Sequence, residues 1–249
     1  MKKMLLSLAV LGFAAAAGAQ TPPKPEKIIV IDGCLFREMP VSTRNVVKMH
    51  LLKTPAGRPA VGFELSEPLP ERALKYAVPA EQVPEGPWLL ERYAAARAAG
   101  TGSPISFGGT PILKEGTVFP AFSATDIDGR VWTNADVEGR VMVLNLWFTG
   151  CGPCRAEMPE LSGWREEMPD VMFFSSTYEE ADRARPVLEE RRFTWIPLVD
   201  DRQFREFVGD NGYPVTIVVD RRGVVDRVEY GTSPVQREEL KERIRALCR

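Results

Sequence analysis

Cys151 and Cys154 stand three positions apart in LNLWFTGCGPCRAEMPEL, Leu144 to Leu161, where an apolar run passes into a helix-like pattern. Three chemistries use such a pair: dithiol–disulfide exchange, metal ligation, or a structural cross-link. Structural zinc takes four ligands, and the remaining candidates, Cys34, Cys248 and the single histidine His50, show no metal-site spacing. A bridge between residues three apart closes so small a loop that it constrains the unfolded chain little. Exchange fits better. If Cys151 opens a helix, unpaired backbone N–H groups and the positive dipole end favour its thiolate, the attacking species. Cys151 is then the nucleophile that forms a mixed disulfide, and Cys154, one turn further in, displaces the partner's thiol. Gly152 and Pro153 keep the two sulfurs close and fix the first turn. No metal and no cofactor is called for.

The elements that must position this pair are readable in the second half of the chain. VMVLNLWF, Val141 to Phe148, is a continuous apolar run broken by Asn145, as expected for a strand buried on both faces. A helix follows from about Cys151, then VMFFSST as a second buried strand. ADRARPVLEERR has helix-forming composition interrupted at Pro186. Asp128-Gly129 marks a hairpin in AFSATDIDGRVWT, and a second hairpin is expected around Arg221–Gly223. The carboxy terminus carries Ser233 as N-cap, Pro234 at the first helical position and Gln236 completing a capping box, with Leu240, Ile244 and Leu247 on one face. Alternating buried strands and helices imply an α/β fold with a central mixed sheet flanked by helices.

The first half says less. IIVIDGCLF, RNVVKMHLL and RPAVGFEL read as short strands, and PWLLERYAAARAAG as a helix ending at Gly100. GTGSPISFGGTP, Gly100 to Pro111, is the most loop-like stretch and a domain boundary. The expected division is a signal peptide over 1–19, a smaller, partly β amino-terminal accessory domain plus linker over 20–112, and the α/β domain over 113–249.

At this point the residues carry a resemblance. WFTGCGPC at the end of a buried strand, with GYPVTIVVD some sixty residues later, resembles the thioredoxin-like fold. NLWFTGCGPCRAEMPEL is similar to its exported TlpA/ResA-like branch of thiol–disulfide oxidoreductases, over about residues 113–249. The resemblance implies a cis peptide bond before Pro214, with the backbone of Tyr213 pairing with a substrate strand near Cys151. It also implies a kink at Pro159 and an aromatic support, Trp147, beneath the site. Asn145 stands where thioredoxins carry a buried aspartate, so another group must take the resolving cysteine's proton. Glu157 lies one turn beyond Cys154 and coincides with the glutamate of the branch's C-x-x-C-x-x-E pattern. It is expected to be partly buried and to exchange a proton with Cys154. Gly150 replaces a tryptophan common in relatives, which predicts an open rim beside Cys151.

MKKMLLSLAVLGFAAAAGAQ has the order of a secretory signal: basic end, apolar stretch, small residues; cleavage leaves a soluble periplasmic chain, and a retained signal is the alternative, a membrane anchor. Cleavage after Ala19 moves the formal net charge from −2 to −4 by removing Lys2 and Lys3 and no acid, and nothing favours nucleic acid. Gly152-Pro153 between the cysteines resembles the reducing members of the fold, which implies reduction of protein disulfides. In an oxidising periplasm a reductase needs electrons delivered. The implied partners are exported cysteine-containing proteins, such as cytochrome c maturation clients, and a membrane thiol–disulfide donor. Two rivals share the fold. A thiol peroxidase places a threonine three residues before its cysteine, where this chain has Phe148, with Thr149 one place off. A copper metallochaperone spaces its cysteines one residue wider and uses a distal histidine. Cys248 is expected as a buried thiol, with a bridge to Cys34 as the alternative, and His50 as structural.

Overall fold

The computed structural model describes residues 27–249. The expected signal peptide and most of the Pro-rich leader lie outside the described residues.

Near the amino terminus, β1 (Ile28–Ile31) and β2 (Cys34–Phe36) form an antiparallel hairpin. The sequence reading took IIVIDGCLF as one strand. The difference lies at Asp32-Gly33, where both φ angles are positive, 46° and 77°, the backbone of a two-residue hairpin turn. β3 (Val46–Lys53) and β4 (Pro59–Leu65) pair antiparallel, β4 pairs parallel with β1, and the two-residue β5 (Ser103–Pro104) closes the far edge. The order is β2-β1-β4-β3-β5. Helix α1 (Gly86–Ala98) buries Leu89 and Tyr93 against Ile28, Val30 and Leu52. The Tyr93 ring requires Gly62, because a Cβ there would lie 2.3 Å from it, and its hydroxyl donates to the Phe63 carbonyl at 2.6 Å. His50 is buried in this sheet and hydrogen-bonded through Nε2 to Glu64 at 2.8 Å, a structural placement as expected.

The second half begins with the hairpin β6 (Ser123–Thr125) and β7 (Val131–Thr133), followed by the single-turn α2 (Asn134–Val137). The central sheet then takes β8 (Met142–Leu146), β9 (Met172–Ser176), β10 (Ile196–Leu198), β11 (Val215–Val219) and β12 (Val225–Tyr230). Its order is β10-β9-β8-β11-β12, with the first three parallel and the last two antiparallel. β10 was not read from the sequence.

Both faces of β8 are apolar and alternate between two cores. Met142, Leu144 and Leu146 join the core closed by Phe119, Phe122, Trp132, Phe204 and Phe207. Val143 and Trp147 join the other, which takes side chains from α3 (Gly152–Glu167), α4 (Ala181–Arg191) and α5 (Pro234–Leu247). The three long helices of this half therefore share one apolar cluster, while the β6–β7 hairpin and short turns cover the other.

Two local expectations need correction. Pro186 does not interrupt α4, which runs through it, since helical bonding on either side and the buried Ala184 and Leu188 hold the turn. The capping box at α5 is half formed. Ser233 Oγ accepts from the Gln236 N–H at 3.2 Å, but the Gln236 amide turns to Glu229 and the Tyr230 carbonyl instead of back to the cap. Cys34 and Cys248 are both free, partly buried thiols, with no bridge between them.

Candidate active site

Strand β8 ends at Leu146, and the segment 147–150 carries the chain to Cys151, the N-cap of α3. Pro153 occupies the first turn, where its missing N–H costs nothing. Cys151 and Cys154 are joined as a disulfide with their Cα atoms 5.3 Å apart. The Cys154 N–H donates to Cys151 Sγ at 3.2 Å, so one of the helix's unpaired amides already points at the outer sulfur. Both are buried, Cys151 at 5% exposure and Cys154 at 1%. Trp147 lies in the same apolar cluster as the two cysteines.

Behind the pair sits Glu157, at 4% exposure. Asn145 faces it from the middle of β8 and donates Nδ2 to Glu157 Oε1 and to Thr216 Oγ1, both at 3.0 Å. Thr216 is Asn145's register partner on β11. From the other side the Thr232 hydroxyl bonds Glu157 and accepts from Arg237 Nη1 at 2.9 Å. Burial pushes the Glu157 carboxyl up to about 7, against the opposing pull of the Thr232 and Asn145 hydrogen bonds and the Arg237 charge. A carboxyl so placed exchanges a proton near neutral pH.

The Tyr213–Pro214 bond is cis. Tyr213 is half-buried, its phenol raised chiefly by burial. Its ring meets Phe148 edge-on at 5.2 Å and Tyr178 at 6.4 Å, and Arg205 lies 4.8 Å over the Tyr178 ring. This cluster corrects the expectation of an open rim at Gly150. A Cβ at Gly150 would meet the Phe148 ring at 2.8 Å, so the space a larger side chain would take is filled by Phe148. The same segment is held by Glu179, whose carboxylate accepts from the Thr149 N–H at 2.6 Å and its hydroxyl at 2.8 Å.

The redoxin family model matches residues 114–244, just over half of the chain. The chain belongs to the redoxin family. The thioredoxin-like protein YneN of Bacillus subtilis is 28% identical over 134 residues, 52% of this chain and 79% of that one. ResA of Geobacillus thermodenitrificans, a thiol-disulfide oxidoreductase, is 27% identical over 139 residues, 53% and 77% of the two chains. The thiol:disulfide interchange protein DsbE of Pseudomonas aeruginosa is 29% identical over 133 residues, 50% and 72%. A crystal structure assigned as DsbE from Chlorobium tepidum superposes with a TM-score of 0.50 at 24% identity, covering 54% of this chain and 98% of that one, which shows the thioredoxin-like fold. This redoxin is a thiol-disulfide oxidoreductase of the ResA/DsbE type.

The structure brings together every residue expected at the redoxin site: Cys151, Gly152, Pro153, Cys154 and Glu157 on α3, Trp147 after β8, and Tyr213 and Pro214 before β11. Sequence reasoning missed Phe148, Tyr178 and Glu179 on the rim, and Thr216, Thr232 and Arg237 around Glu157. Thr216 was open to inference, two residues after Pro214 on a strand expected to be buried. Tyr178, Glu179 and Thr232 depend on how the loops after β9 and β12 fold back, Phe148 on the rim they close, and Arg237 on where α5 packs.

Proposed function

We propose that this redoxin reduces disulfides in exported proteins by exchange at Cys151 and Cys154. In the reduced form the Cys151 thiolate attacks a client disulfide, forming a mixed disulfide and expelling one client thiol. Cys154 then attacks Cys151 Sγ, releasing the second client thiol and leaving the Cys151–Cys154 disulfide. The client gains two electrons and the redoxin loses two, which a membrane thiol–disulfide donor restores. Glu157 takes the proton that Cys154 sheds as it attacks. Tyr213 and Pro214 supply backbone against which the client strand lies, and Trp147 supports the pair from below.

The observation that carries this reading is the arrangement around α3. The outer sulfur sits at the helix mouth and receives an amide N–H, while a buried carboxyl pushed up to about 7 stands one turn behind the inner one. The exported relatives support an extracytoplasmic setting, with residues 1–19 as the signal, 20–112 as an accessory domain and 113–249 as the redox domain. Cytochrome c maturation clients are the proposed substrates, on the likeness to ResA and DsbE.

Titrating the pair against glutathione tests the direction. A potential near that of thioredoxin, about −270 mV, supports a reductase; one near the strong oxidant DsbA, about −120 mV, reverses the assignment. In parallel, Cys151→Ser is expected to abolish reduction of insulin disulfides, and full retained activity would remove Cys151 as nucleophile.

A further inference from the structure

A cleft of about 620 Å³ opens beside Gly152 and Pro153, the two residues between the cysteines, and its two walls come from different halves of the chain. Gly152, Pro153, Tyr213 and Pro214 line the redox side. Ile29, Met39 and Thr43 line the other. Strand alternation explains Ile29: its neighbours Ile28 and Val30 pack under α1, so Ile29 points out of the opposite face of that sheet. Met39 and Thr43 follow β2 in the segment that crosses to the redox half.

That second wall is fixed in place. The Val235 N–H, in the first turn of α5, donates to the Pro40 carbonyl at 3.3 Å. Val41, Ala73 and Val235 form a buried apolar contact between the halves. The Arg44 guanidinium lies 4.4 Å over the Tyr230 ring and donates to the Gly109 carbonyl at 3.0 Å and to Asn211. Tyr230 leads directly into Gly231 and Thr232, so the segment that anchors the wall also bonds Glu157.

We propose that residues 29–43 form a specificity wall that admits an extended, cysteine-bearing segment of a client chain and turns away disulfides held in folded surfaces. This deepens the reductase reading above and rests on it. The cleft volume falls in the range of about 300–1,000 Å³ typical of sites for small ligands, room for a few residues of single chain and not for a second packed layer. Its chemistry matches that occupant. Ile29, Met39, Pro153 and Pro214 offer apolar contact, and the exposed Lys27, Arg37 and Glu38 bring charge of both signs to the wall. A strand laid there runs beside the residues between the two cysteines, which brings its own cysteine within reach of Cys151 without opening the wall.

The test compares two substrates on the full chain: a flexible peptide with a single internal disulfide, and 2-hydroxyethyl disulfide, too small to span the cleft. The readout is the ratio of their kcat/KM values. Met39→Trp and Thr43→Trp, which fill the cleft, are each expected to lower that ratio about tenfold through a higher KM for the peptide. Met39→Ala, which removes volume without crowding, is expected to lower it about threefold and to raise the rate on a disulfide held in the surface of a folded protein. An unchanged ratio in all three variants, or a wild-type chain that reduces folded and flexible disulfides equally well, overturns the wall. Failure of the wild-type chain on both small and peptide disulfides sinks the reductase reading instead.

Discussion

Glu157 carries the sharpest consequence at the scale of single residues. Its carboxyl is buried beside an amide, a hydroxyl and, one bond further out, a guanidinium, yet desolvation dominates and raises it to about 7. A carboxyl whose folded-state pKa exceeds its unfolded value binds more protons in the native state. Its destabilising effect is therefore absent at pH values below about 4.5 and grows until the folded pKa is passed. The span between the two values corresponds to about 3 kcal/mol. Oxidised wild-type protein should lose about that much stability, from this site, between pH 4.5 and 8. Glu157→Gln keeps an acceptor for Asn145 but does not titrate. Urea unfolding of both forms at each pH should show the variant gaining about 3 kcal/mol over wild type across that window. The same variant should lose an inflection near pH 7 in peptide-disulfide reduction. Equal pH slopes for the two proteins would place the Glu157 carboxyl in contact with water. Asn145 explains why the charge can be there at all: a neutral donor on β8 tolerates an ionising helix carboxyl 3.0 Å away, where an aspartate would repel it.

Among the elements, α3 and α4 both run through a proline, and the two have different standing. Pro159 is exposed, but it lies in the helix that presents the cysteines, two residues after Glu157. Pro186 is solvent-exposed on α4, a helix that carries none of the site residues, and lacks the N–H that would bond the Asp182 carbonyl. Pro186→Ala restores that bond and removes the ring's clash, set against the greater freedom an alanine gives the unfolded chain. The expected net gain is about 1–2 kcal/mol, read as a higher thermal midpoint with unchanged reduction of insulin. A lower midpoint would mean that α4 is built around the bend. The elements nearest the cysteines were legible because their signals are local. An apolar run names β8, a three-residue spacing and a proline name the start of α3, and Glu157 lies one turn on. What sequence could not supply was pairing across distance. Asn145 meets Thr216 only because β8 and β11 align in that register, and Phe148 fills the rim only because Tyr178 and Tyr213 come to it from separate loops. The Asp32-Gly33 turn was the exception, a local hairpin signal that the apolar flanks obscured.

For the molecule as a whole, the question is what the amino-terminal sheet does beside a redoxin domain matched over residues 114–244. Its strands could be named from alternation, but not that β1 and β4 run parallel or that the sheet's outer face meets the redox cleft, since both follow from packing between segments far apart in sequence. The contact that joins the halves is small and mixed: Val41, Ala73 and Val235 at its centre, with Lys75 paired to Glu238 at 2.5 Å and Arg72 to Glu239 and Glu242 at 3.6 Å around it. Exposed ion pairs of this kind add little, so the apolar centre should dominate. Val235→Asp removes a buried side chain worth about 1.5–3 kcal/mol and places a carboxylate between Val41 and Ala73. Because Val235 also holds the Pro40 carbonyl through its backbone, loosening this point should release the wall over the cleft. The variant is expected to melt in two steps where wild type melts in one, and to be cut by protease within residues 100–111. The Cys151–Cys154 potential should stay where it was, since that pair is set by α3 and β8. If the potential moved with the interface, the two halves would be coupled through Thr232 and Glu157 and not merely stacked. A single cooperative transition in the variant would mean that the joint is held elsewhere, with Arg44 against Tyr230 the next contact to break.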